Sequence, residues 1–392
     1  MAYPPNPSPL PLLLLALIFY LNFISRIILA PLLPEIEVAL SISHGQAGTF
    51  FLCISISYFI SLSTSGFVSA RLGHKRTIVV SMLAISLSLL LVSFSPSLFL
   101  LQISFFLLGM AAGLYLPSGI ATITDLYQTR QLGRAFGVHE IAPNLAFLTA
   151  PLFAAWLLPR LDWQQVILLF AAATTGAAVL YGLVGPGSHL KGAAPNLTRC
   201  RELIRLPEFW LMVILFSMGI SSTIGVYSVL PLFLVSEHGM DEQSANMLVG
   251  VSRSTSLITA FFGGWLGDRF GSLKTMGVVL LLTGLFTALL GFGPEQLLPV
   301  WVWLQPLLAV CFFAPAFSVL SQIGPPGARN IVISVAIPIA FVLGGGVVPA
   351  GITRLADSGH FGLGLMLTGG FIGGGSLLIK MLPVQQKNNS CE

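Results

Sequence analysis

Apolar residues run along this chain in long unbroken blocks, and polar residues fall into short clusters between them. A helix needs about 20 residues to cross a bilayer. On that scale the blocks predict spans at 9–32, 45–69, 77–95, 97–123, 133–158, 163–185, 209–235, 243–266, 275–293, 297–322, 329–353 and 360–382. The runs are continuous, whereas a membrane barrel demands alternation of period two. The predicted fold class is therefore an all-α membrane protein with twelve transmembrane helices. The first block has no basic leader and no small-residue cleavage site, so it reads as the first span rather than a signal peptide.

Composition agrees with this pattern. Hydrophobic residues make up 55% of the 392 and charged residues 8%, against about 25% charged in soluble domains. So little charge leaves a water-facing surface uncovered. The placement of Lys and Arg then orients the chain. With both termini cytoplasmic, fourteen of the eighteen fall on the cytoplasmic side, and only Arg160 and Arg354 fall on the opposite loops. The net charge of +4 is thus a topology signal. The bases are scattered over separate loops without a binding motif, which argues against nucleic acid as a partner. Cys53, Cys200, Cys311 and Cys391 lack paired or metal-like spacing, so neither disulfide nor metal is expected. Phosphate-loop, nucleophile-elbow and zinc-protease motifs are missing from the sequence. It predicts no enzyme and no cofactor.

The interval 186–208 is the longest polar stretch and splits the chain into an N-terminal bundle, 1–185, and a C-terminal bundle with its tail, 209–392. GFVSARLGHKR, from residue 66, and GGWLGDRFGSLK, from residue 263, match at an offset of 198, which pairs Gly66 with Gly264, Arg71 with Arg269 and Gly73 with Gly271. The same offset carries Ala150-Pro151 onto Val348-Pro349. One offset at two distant places implies an internal repeat. Gly66 and Gly264 leave room for a neighbouring helix, and Gly73 and Gly271 suit turns with positive φ. Arg76 and Lys274 extend the basic strings at the anionic leaflet.

Twelve spans, a basic central loop and this motif in two symmetric loops resemble the major facilitator superfamily along the whole chain. That resemblance implies two pseudo-symmetric six-helix bundles that rock about a midplane site, moving a small solute by alternating access. It also implies that the motif's acid faces a helix start in the other half and holds the outward-facing state. Asp268 fits that role against span 5 near Gly133-Arg134, whereas Ala70 occupies the corresponding place in the first copy. The result would be an asymmetric latch. Asp125, with Arg130 and Arg134, resembles the family's gate cluster. In span 5, Gly137, Ala146, Ala150-Pro151 and Ala154-Ala155 follow the family's antiporter spacing with alanine for most glycines. Phe105 stands where antiporters often carry an arginine in span 4.

Three formal charges fall inside predicted spans: Arg26, Glu140 and Arg253. Each costs about 3 kcal/mol at mid-helix, which makes it a functional-site candidate. Arg26, with Asn22 one turn away, and Arg253 lie near the midplane, one in each half, and suit an anionic solute group held by guanidinium forks. The alternative is that one of them pairs structurally with Glu140. Glu140 suits a proton-loading carboxyl, with His139 beside it as a second titrating group. Gln102, Tyr115, Tyr58, Tyr227, Asn246 and Gln305 are lesser candidates, read first as helix–helix hydrogen bonds. The expected activity is proton-coupled secondary transport of a small organic anion by a monomer in a bacterial inner membrane. Multidrug efflux by proton antiport and a non-transporting sensor or scaffold remain as alternatives.

Overall fold

The computed structural model describes residues 9–188, 201–323 and 329–382. The central-loop bases Lys191 and Arg199 and the tail base Lys387 lie outside these residues. Among the described residues, eleven helical segments are long and apolar enough to cross a membrane. The twelfth predicted span, the eighth in order, runs as Glu242–Ser252 and Ser254–Phe270, broken at Arg253.

Local chemistry sets the ends of these helices. Span 2, His44–Leu72, starts at a capping box in which the Ser43 hydroxyl accepts from the Gln46 amide and the Gln46 side chain accepts from the Ser43 amide. Span 8 starts at Asp241, which accepts from the Ser244 amide at 2.9 Å. Spans 2 and 8 end at Gly73 (φ +77°) and Gly271 (φ +90°), conformations that L side chains rarely adopt.

The first span departs from its predicted end at residue 32. After a break at Ile28 it continues as a second helix, Leu29–Leu40. Pro31 falls in the first turn of that helix, where N–H groups have no intrahelical partner, so proline does not stop the chain there. Glu35 and Glu37, which fall between the first two predicted spans, therefore sit on a helix.

Kinks recur along the chain. Span 1 breaks at Ile28, span 4 at Leu114, span 7 at a π-helical turn over Ser221–Gly225, and span 10 at a 3-10 turn over Val310–Phe312. These are the first helices of successive three-span units, but the breaks are not confined to them, since span 8 is interrupted as well, at Arg253. A second π-helical turn, Leu343–Val347, lies in span 11. The two π turns press together: a Cβ on Gly225 would lie 2.6 Å from the Gly344 carbonyl oxygen.

The two six-helix halves meet mainly on the side away from the motif loops, here the far side. The Ser43 hydroxyl donates to Asp357 Oδ2 at 2.9 Å, and the Gly45 amide donates to Oδ1 at 3.0 Å. Gly48 sits against Thr353, and Gly250 against Leu148 and Leu152. One continuous apolar core accordingly joins the N-terminal half to the far-side part of the C-terminal half. A separate core fills the motif side of the C-terminal half. There the seam is open: Glu140, Arg134 and Asp268 are exposed, and a Cβ on Gly133 or Gly137 would meet nothing within 4 Å.

Candidate functional site

The two buried arginines occupy comparable places in the two halves. Arg26, on span 1, is 5% exposed; its guanidinium lies 4.4 Å from the ring centroid of Tyr58 on span 2, with Phe23 at 5.0 Å and Phe341 at 5.7 Å. Arg253, on span 8, is 2% exposed and lies 5.0 Å from both Phe147 and Tyr227, the latter on span 7. Each arginine thus fills the interface between the first two helices of its half, although at the repeat offset Arg26 corresponds to Ile224 and Arg253 to Ser55.

Arg253 exploits the π turn. A π segment shifts hydrogen bonding and leaves carbonyls available to side chains. Arg253 Nη2 donates to the Thr223 carbonyl at 3.2 Å, and Gln305 Nε2 donates to the Ser222 carbonyl at 2.6 Å. Arg253 Nε is buried without an acceptor. Arg26 has a weaker anchor, Nε to the Asn22 carbonyl at 3.5 Å. Among the described residues no carboxylate lies within 4 Å of either guanidinium. The pairing of an arginine with Glu140 is therefore not the arrangement found.

The rings join the two sites. Phe23, beside Arg26, meets Phe147 edge-on at 5.2 Å, and Phe147 lies beside Arg253 and meets Tyr227 at 4.9 Å. Cation–π contacts offset only part of a buried charge, about 0.5–2 kcal/mol each. The seam is left electropositive. A pocket lined by Phe23, Arg26, Ser55, Ser228 and Phe341 opens beside Arg26.

Other predicted site residues take different positions. Asn22 is 1% exposed and donates from Nδ2 to the Ala112 carbonyl at 3.0 Å, beside the break of span 4. Its amide ties span 1 to span 4. Glu140 is 60% exposed, and its Oε1 lies 3.5 Å from Nδ1 of His139. His139 is fully buried, stacked 4.3 Å from Phe19, with Nε2 3.0 Å from the Tyr115 hydroxyl. Gln102, Gln305, Asn246 and Tyr115 each hydrogen-bond another span.

Of the motif residues, Arg71, Arg76, Lys274, Arg269 and Asp268 are exposed. Arg269 lies over Trp265 at 5.3 Å, and no ion pair joins Asp268 to Arg134. Asp125 is half-buried. The close approach predicted at Gly264 falls one residue earlier: a Cβ on Gly263 would be 2.7 Å from Cys311 Cα, while one on Gly264 would make an ordinary contact at 3.7 Å. Sequence reasoning missed Phe23, Phe147 and Phe341 as the arginines' neighbours, and both π turns. The Ser/Gly-rich strings SSTIG and LGGGV inside apolar spans were the available signal.

A family model described as Major Facilitator Superfamily matches residues 15–349. The chain is 22% identical to a probable sulfoacetate transporter, SauU, of Cupriavidus necator, over 76% of this chain and 75% of that protein. It is 24% identical to a probable nitrate/nitrite transporter, NarK2, of Mycobacterium tuberculosis, over 76% of each. Among solved structures, a bacterial homolog of the human lysosomal transporter Spinster, inward-facing and unoccupied, matches with a TM-score of 0.82 at 17% identity, over 95% of this chain and 96% of that one. The nucleoside transporter NupG matches at 0.79 and 15%, over 95% and 100%.

Proposed function

This chain belongs to the major facilitator superfamily, a family of membrane transporters, and on that premise we propose that it carries a small oxyanion across a bacterial inner membrane. One observation carries the reading. Two buried arginines, one from each half and neither with a carboxylate partner among the described residues, flank a seam of linked aromatic rings. An unpaired buried cation is costly, and a carboxylate, sulfonate or nitrate drawn into the seam between the halves would relieve that cost. Two similar proteins bear names for such anions, sulfoacetate in one and nitrate or nitrite in the other. Multidrug efflux of lipophilic cations fits poorly, because two uncompensated positive charges repel that cargo.

The motif side is read as cytoplasmic, because fourteen of the eighteen basic residues fall there. The far-side closure then corresponds to an inward-facing state, in which a latch made by Asp268 must be open. Rocking the halves would close the motif side over Glu140, bury its carboxyl and favour its protonation. That is the proposed coupling to the proton gradient, in a protein working as a monomer. Proteoliposome flux of nitrate, nitrite and sulfoacetate tests the reading. Flux of at least one should appear and be lost in Arg26→Ala and Arg253→Ala; unchanged flux in both variants would end it.

A further inference from the structure

A second acidic site lies far from the arginines, at the far-side end of the seam. Glu35, near the end of span 1, and Glu242, the first residue of span 8, come from opposite halves, and their carboxyl groups meet within hydrogen-bonding reach. Both are half-buried. They line a cavity of about 160 Å³, walled on the span 5 side by Ala154, Ala155 and Pro159. That volume admits several waters.

Asn246 points to what the cavity holds. It lies one turn beyond Glu242 on the same helical face, lines the cavity and is 1% exposed. Its Nδ2 donates across the seam to the Pro31 carbonyl at 3.2 Å, which fixes the amide, yet its Oδ1 is buried without a hydrogen-bond partner. An orphaned acceptor beside two touching carboxyls lacks a donor. Two ionised carboxylates cannot supply one, and they repel each other at that separation. A single proton on Glu242 resolves both problems: it gives that carboxyl an O–H to donate to Asn246 Oδ1, and it leaves only one negative charge in the pair.

We propose that Glu35 and Glu242, with Asn246, form a proton-binding clasp that holds the far side of the transporter closed. With the proton bound, the carboxyl pair and the Asn246 amide bridge the two halves. When it leaves through the cavity, two carboxylates face each other across the seam and drive it apart. The charged groups on the neighbouring elements carry both signs, and Arg354 lies 3.7 Å from Asp357. On the neighbouring elements Glu37 and Asp357 lie beside His44, Asp241 caps span 8, and Glu237 and Glu295 flank His238. Asp162 caps span 6, and Arg160 is the nearby base on the loop after span 5, its Nη1 held on the Trp156 carbonyl. The clasp rests on alternating access but not on the identity of the cargo.

The test reads distance rather than flux. Spin labels at Val38→Cys and Leu297→Cys, exposed far-side positions of opposite halves outside the clasp, are placed in a variant lacking native cysteines and reconstituted in nanodiscs. Between pH 5 and 8.5 the parent should shift from a short to a long separation. Glu242→Gln keeps the amide hydrogen bonds but cannot ionise, so it should stay short throughout. The double variant Glu35→Gln/Glu242→Gln should do the same. A parent distance that ignores pH, or a Glu242→Gln distance that follows pH as the parent does, overturns the clasp. Binding of nitrate to Glu242→Gln should match the parent, which separates a failed clasp from a failed anion site.

Discussion

Arg253 on span 8 donates a hydrogen bond to the Thr223 carbonyl on span 7 at 3.2 Å, where a π turn has displaced the regular helical pattern. One guanidinium nitrogen is used structurally, and Nε is left without an acceptor. Arg253→Lys should therefore fold but bind anion poorly, because an ammonium cannot hold the Thr223 carbonyl and a bidentate oxyanion in one plane. The loss of one charge-assisted hydrogen bond, about 1.5–3 kcal/mol, corresponds to about tenfold to a hundredfold weaker binding by titration calorimetry. Equal affinity in the lysine variant would show that Arg253 supplies only charge.

Asn22 should behave differently, although it lies one turn from Arg26. Its Nδ2 is committed to the Ala112 carbonyl, so Asn22→Ala leaves a buried carbonyl unpaired. The expected result is a loss of about 0.6–2 kcal/mol in stability, read as a lower melting temperature in detergent, with affinity per folded molecule unchanged. A variant of normal stability that loses anion binding would return Asn22 to the solute.

These two residues mark how far the sequence could be read. The spans were legible because an apolar run longer than a bilayer permits no other economical structure, and Arg26 and Arg253 stood out because charge within such a run is costly. Asn22 has the same local signature whether it binds a ligand or braces a helix; only the Ala112 carbonyl, ninety residues away, decides. The π turns were hidden for a related reason. Gly344 lies so close to the Ser217 carbonyl oxygen that a Cβ there would come within 2.5 Å, and such a fit is a property of two helices together. Span 1 ran past its predicted end because Pro31 falls at a helix start created by the break at Ile28, which residue identity alone does not announce.

The far-side seam depends on Gly48, where an added Cβ would lie 3.2 Å from Ala350 Cα and overlap the Thr353 side chain. Gly48→Ala should not unfold either half, since the contact is between them. It should disfavour far-side closure and shift the population towards the far-side-open state. Labelling of the Ser55→Cys position by a membrane-impermeant thiol reagent added from the far side should rise several-fold in the alanine variant. Unaltered labelling would mean that the seam adapts without opening.

Glu140 is the only acid well inside a predicted span, and it is exposed on the open motif side. Glu140→Gln keeps the shape and the hydrogen-bonding capacity but cannot exchange a proton. Anion exchange across proteoliposomes without a pH gradient should survive, while accumulation driven by an imposed gradient should be lost. If gradient-driven accumulation persists, the coupled proton is carried elsewhere, and the carboxyl pair at Glu35 and Glu242 becomes the next group to neutralise.

The two motif loops predict an asymmetry that can be measured. Asp268 is exposed and unpaired with Arg134 in this state, so Asp268→Asn should change the melting temperature little, as exposed substitutions usually do within about 0.5 kcal/mol. Its effect belongs to the opposite state, where the motif side closes and the carboxylate meets the start of span 5 and its positive helix end. The latch contributes about 0.3–1 kcal/mol on exposed helix-dipole scales and up to about 2 when partly buried. The population of the motif-side-closed state should therefore fall by about twofold to thirtyfold, and turnover with it. Ala70 has no carboxylate to lose, so Ala70→Ser should leave both turnover and conformational balance intact. Proteoliposome flux paired with spin-label distances across the motif side separates the cases. Equal tolerance at positions 70 and 268 would remove the latch from the mechanism and leave the strings as topological anchors alone.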